Sequence, residues 1–156
     1  MPEIADSDPV PVPDPIPVAR AEHWLLRSRR SPGEARRHLQ ALLAGAPAAQ
    51  QFADIGLLLV SELVTNAVVH GTPIGNKVLL ALDLAPARLR IEVHDARGDR
   101  EPVLRTAGKD DESGRGLVLV KSLAHRWGCC PRLGIGKIVW AEIGSAPTVT
   151  PAGRAA

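Results

Sequence analysis

The chain has 156 residues, 45% of them apolar and 23% charged, with nineteen basic against seventeen acidic side chains and a formal net charge of +2. That length holds one domain with its own core but not a further sensor or receiver module, and the near-even charge offers no footprint for direct nucleic-acid binding. No apolar run approaches the ~20 residues that cross a bilayer, and the acidic start Met1-Pro2-Glu3 lacks a signal-peptide core, so a cytoplasmic protein without membrane contact is expected.

Residues 1–18 carry Glu3, Asp6, Asp8 and Asp14, no base, and six of the fourteen prolines of the chain. Alternating prolines remove backbone donors and fix φ, which predicts a solvated, polyproline-like or disordered tail. Residues 20–37 hold six Arg against two Glu, a stretch read as a solvated basic helix face or a surface for an acidic partner. Ser31-Pro32-Gly33-Glu34 has the form of a capping box with Pro at the first helical position. It opens a helix to about residue 45 that carries Ala35, Leu39, Leu42 and Leu43 on one face. A second, longer and nearly all-apolar helix is expected from an Asp54 cap through His70, stopped by Gly71-Thr72-Pro73.

Val78, Leu80, Leu82 and Leu84 alternate with their neighbours, and so do Leu89, Ile91 and Val93 after the Ala85-Pro86-Ala87 turn, which reads as a β-hairpin. Residues 98–113 have no period. A third helix is expected from about Gly114 to Trp127, and a last strand over residues 137–143. Cys129 and Cys130 are adjacent and read as small fillers at the end of an element, since no second pair completes a zinc site. Residues 145–156 form a second tail. Between the tails, residues 19–144 are predicted to be one α+β domain, a two-layer α/β sandwich with helices on one face of a mixed, mostly antiparallel sheet.

P-loop, G-x-G-x-x-G, H-E-x-x-H, C-x-x-C and G-x-S-x-G patterns are absent. The chemistry must therefore lie with polar residues in apolar settings. Glu62, Asn66 and His70 recur at i, i+4 and i+8 along the second helix. Their oxygens suit a hydrated magnesium ion shared with phosphate, Glu62 alternatively suits a general base, and a solvent-facing or self-satisfied stripe is the plain alternative. Asp95 continues the inward phase of Leu89, Ile91 and Val93. It can accept a hydrogen bond from an exocyclic amino group, or cap the turn that follows. Gly114 and Gly116 open a helix, where glycine lets a ligand approach the backbone and the free amides attract phosphate.

Taken together, the run Glu62-Leu63-Val64-Thr65-Asn66-Ala67-Val68-Val69-His70-Gly71, then Asp95-Ala96-Arg97-Gly98, then Gly114-Arg115-Gly116-Leu117, resembles the N, G1 and G2 boxes of the ATPase superfamily that includes gyrase, histidine kinases and MutL. Within it the chain is most similar to the stand-alone anti-sigma-factor serine/threonine kinases of actinobacteria, over about residues 24–143 and including the closing Gly136-Lys137-Ile138-Val139-Trp140. The resemblance implies the Bergerat ATP-binding fold, with ATP and Mg2+ as cofactors. It implies Asn66 as the Mg2+ ligand, Glu62 as general base toward a protein serine, and Asp95 as the acceptor for the adenine amino group. Gly98, Gly114, Arg115, Gly116 and Leu117 would line the nucleotide site, residues 98–113 would form the lid, and Arg100, Arg105, Lys109 or Arg115 could steady the γ-phosphate. The implied partners are a STAS-type anti-anti-sigma protein and a sigma factor, and homodimers occur in the family.

Three positions depart from the family pattern. Arg97 and Asp99 stand where D-x-G-x-G has its second and third conserved residues, and Ile138 stands where relatives often carry a Thr that helps fix adenine. These departures imply weakened nucleotide affinity and motivate a rival reading, a partner-binding regulator that keeps the fold without transferring phosphate; the detached catalytic half of a histidine kinase is a third reading, against which the short lid speaks. With no Tyr in the chain, adenine is expected to rest on Asp95 and aliphatic side chains rather than on a stacked tyrosine.

Overall fold

Strict alternation of apolar and polar side chains builds the centre of the sheet. In the computed structural model, which describes residues 18–72, 75–95, 112–132 and 136–144 with only the backbone over 112–117, the hairpin forms as β2 (Lys77–Ala85) and β3 (Arg88–Asp95). Leu80, Leu82, Leu89 and Ile91 are fully buried on one face, each worth about 1.5–3 kcal/mol relative to an exposed side chain. The other strands are β1 (Ala19–Leu26), β4 (Arg126–Pro131) and β5 (Lys137–Gly144). The order is β1-β2-β3-β5-β4 and all four pairings are antiparallel, so the sheet is not mixed among the described strands.

Helices α1 (Ser31–Ala44), α2 (Ala53–Asn66) and α3 (Glu112–Leu123) cover one face. The stripe expected on α1 is present, with Ala35, Leu39 and Leu43 buried. Its start differs from a capping box. Ser31 is the first helical residue and makes no cap, and its hydroxyl donates instead to the Leu26 carbonyl, tying α1 to the end of β1. Asp54 is likewise an acid in the first turn of α2 rather than its cap, because a 3-10 turn (Pro47–Phe52) leads directly into the helix. Such a carboxylate still favours a helix N-terminus through the dipole.

Two strands lie where none was expected. Residues 19–26 form β1 at the sheet edge rather than a basic helix face, and Trp127, expected in the third helix, lies in β4, since α3 ends at Leu123. The continuous helical run Pro47–Gly71 is, by length and composition, apolar enough to cross a bilayer, contrary to the expectation from the sequence. Here it is the central helix of the sandwich, with Leu59, Val60, Leu63 and Val64 buried against α1, α3, β3 and β5.

Candidate functional site

Helix α2 places Glu62 and Asn66 one turn apart near its C-terminal end. Both are half-buried beside the fully buried pair Leu63 and Val64. Partial exposure avoids most of the several kcal/mol that full burial of an unpaired carboxylate or amide costs. Neither side chain has a partner among the described residues, whereas the neighbouring Ser61 accepts a 2.8 Å hydrogen bond from Arg36 and donates one of 2.9 Å to the Leu57 carbonyl.

After Asn66 the helix widens into a π turn, Ala67–Gly71. The i, i+4 spacing that relates Glu62 to Asn66 does not carry on to His70, which is exposed. Arg27, from the β1–α1 connection, donates to the Val68 carbonyl at 3.2 Å and so takes up one of the carbonyls that a distorted helix end leaves unsatisfied. The turn brings Gly71 against β3 so closely that a Cβ there would overlap the Asp95 carboxylate, lying 2.8 Å from its Cγ. Only glycine permits this approach of helix end to strand end. Thr72 follows, 4% exposed, and its hydroxyl has no partner among the described residues.

Asp95 is the last residue of β3 and is buried on the helix-covered face, as its phase predicted. Its register partner is Lys137, the first residue of β5. The ammonium Nζ lies 2.8 Å from Asp95 Oδ2, with the two side chains only 8% and 2% exposed. Ile138 pairs with His94 on the opposite face of the sheet. The position beside Asp95 is therefore Lys137, and Ile138 lies one step along β5 on the other face. Alternation in β5, with Lys137, Val139, Ala141 and Ile143 buried, carried this signal in the sequence. Gly71 and Thr72 were legible only as a helix stop.

Gly114 and Gly116 lie in the first two turns of α3, which begins at Glu112, two residues before the expected start, and packs against α2. The amides of the first four residues of a helix have no partner within it, so this end can receive phosphate oxygens. Arg115 and Leu117 follow the same backbone path. Gly98, Arg97, Asp99 and the candidate γ-phosphate bases Arg100, Arg105 and Lys109 lie outside the described residues. Among the described residues no cluster of three or more His, Cys, Asp or Glu could hold a metal. Asn66 would offer a hydrated magnesium ion one hard oxygen ligand.

The profile described as the histidine kinase-like ATPase domain matches residues 28–139. A search of curated proteins finds no match. The solved structure of the RsbU and RsbW domains of Rv1364c from Mycobacterium tuberculosis shares the fold, with a TM-score of 0.60 and 19% identity over 81% of this chain. The present chain spans 32% of that protein's length. Residues 28–139 run from the β1–α1 connection to the first residues of β5 and include Glu62, Asn66, Gly71, Asp95 and Lys137, so the chain belongs to the histidine kinase-like ATPase domain family and to the GHKL superfamily.

Proposed function

We propose that the protein is an ATP- and Mg2+-dependent serine/threonine protein kinase of the anti-sigma type, acting in the cytoplasm. In this reading it phosphorylates a STAS-type anti-anti-sigma partner and sequesters a sigma factor when that partner is phosphorylated. The observation that carries the reading is the arrangement around the end of α2. The half-buried Glu62 and Asn66 lead through the π turn to Gly71, which abuts the buried Asp95. Family membership and the fold shared with a structure of RsbU and RsbW domains support it.

ATP supplies the γ-phosphoryl group when bound, and the remaining work falls to the residues of the chain. Asn66 would offer a bound magnesium ion its amide oxygen. Asp95 accepts from the adenine amino group, and the first turn of α3 neutralises phosphate charge with its amides. Glu62 accepts the proton of the attacking serine hydroxyl as its oxygen bonds to the γ-phosphorus and the bond to ADP breaks. Transfer of this kind depends chiefly on positioning and charge neutralisation, so the loss of one base is expected to cost rate rather than binding.

The direct test is transfer of label from γ-phosphate-labelled ATP to a purified STAS-type protein. Glu62→Gln is expected to bind ATP as the wild type does and to lose transfer by roughly 100-fold or more, the usual contribution of a general base. Binding with no transfer by the wild type would favour the partner-binding regulator instead, and undiminished transfer by Glu62→Gln would remove Glu62 as base.

A further inference from the structure

Lys137 has no place in the reading above, yet it is the most unusual residue at the site. A lysine with its side chain only 8% exposed against a carboxylate 2% exposed is not explained by stability. Desolvating both ions costs about as much as their attraction returns, and an apolar pair of similar volume would serve the core as well. The flanking inward positions, Val93 on β3 and Val139 on β5, are apolar. The charged pair interrupts an aliphatic face at the rim of the sheet, where β3 ends and β5 begins.

What the pair presents is an acceptor and a donor side by side, 2.8 Å apart. The Watson–Crick edge of adenine presents the reverse, the donating 6-amino group next to the accepting ring nitrogen N1. Asp95 alone can satisfy only the first of these. We propose that Lys137 is a nucleotide-contacting and specificity-determining residue that donates a hydrogen bond to N1 of the base while Asp95 accepts from the 6-amino group. This rests on the ATP-binding reading above and extends it to a residue that the reading does not use.

Three features of the site agree with this role. An ammonium has three donors and a carboxylate about four acceptor positions, so each can bond more than one partner. The ammonium also cancels the carboxylate charge, which would otherwise oppose the approach of a polyanionic nucleotide. Finally, the buried Thr72 hydroxyl, without a partner among the described residues, follows Gly71, whose backbone touches Asp95, and adds a polar group at the same rim.

The test is calorimetric binding of Mg-ATP and of 1-deaza-ATP, in which a C–H replaces N1, to the wild type, Lys137→Met and Lys137→Gln. The wild type is expected to bind 1-deaza-ATP more weakly than ATP by roughly 10-fold or more, the usual worth of a hydrogen bond to a charged group. Lys137→Met should bind the two nucleotides equally and ATP more weakly than the wild type does. Lys137→Gln, which keeps an N–H donor, should retain part of the preference, and it decides the matter if the Met variant fails to fold. Equal binding of both nucleotides by the wild type overturns the role of Lys137, as does tighter ATP binding by Lys137→Met, which would make the lysine a competitor for Asp95. Failure of the wild type to bind ATP at all sinks the nucleotide reading itself, a result distinct from ATP binding without discrimination at N1.

Discussion

At the scale of single residues, the meeting of the central helix with the end of β3 depends on Gly71. The end of the central helix can reach the buried Asp95 only because no side chain stands between them. Gly71→Ala is expected to cost about 1–3 kcal/mol in urea unfolding, the usual penalty for overpacking, and to weaken ATP binding because the carboxylate must move. An unchanged midpoint with unchanged affinity would show that the contact is not tight. Asp95 was legible in the sequence because strand alternation fixes a phase, and the phase of Leu89, Ile91 and Val93 carried an acid into the core. The same rule applied to β5 points Lys137 inward. Its meeting with Asp95 depends on the register between strands separated by some forty residues in sequence, and no local pattern encodes that. Gly71 is hidden for a similar reason, since its contact is long-range while its local signature is that of any helix stop.

At the scale of elements, the helices and the hairpin follow from periodicity, and the elements that broke the pattern were those lost to view. In β1 the run Trp24-Leu25-Leu26 is apolar throughout, although only Leu25 is buried, because the edge strand leaves Trp24 and Leu26 exposed on the helix-free face. In β4 the sequence Gly128-Cys129-Cys130-Pro131 has little strand preference, and pairing with β5 supplies the structure. The π turn has no sequence signature at all. Strand β1 and helix α1 are joined by stacked imidazoles, His23 on His38, with ring centroids 3.5 Å apart and planes 13° from parallel. Burial, and then the positive charge of His38 when protonated, hold His23 below its ordinary pKa, with Glu34 on α1 opposing them in part. Below about pH 6.5 the unfolded chain therefore takes up a proton at His23 that the native state resists, so native stability falls as pH falls through that range. His23→Phe keeps an aromatic ring at the joint and should flatten this part of the pH profile of urea stability between neutrality and about pH 5. Parallel profiles for the two proteins would remove His23 as the cause.

At the scale of the whole molecule, the two faces of the sheet divide the work. The helix-covered face holds the core and ends in the candidate site. On the other face Glu142, 3% exposed, is surrounded by Arg90 at 2.8 Å, Arg88 at 3.1 Å and Arg126 at 3.7 Å, and the Arg90 guanidinium lies 4.3 Å from the Trp140 ring centroid. These contacts join β3, β4 and β5 without any helix, so the helices are left to position Glu62, Asn66 and the first turn of α3. Fold class and the order of the functional segments were readable from the sequence, because the N-box helix and the inward Asp95 each carry a local pattern. How the segments meet was not readable, because that depends on the sheet order and on one glycine. In the proposed function a nucleotide occupies the rim between α2, α3 and the end of β3. Its most direct test is a calorimetric titration of Mg-ATP into the full chain and into Asn66→Ala. Saturable binding by the wild type that is lost or strongly weakened in Asn66→Ala is the predicted result, and no heat from the wild type at millimolar nucleotide would contradict it.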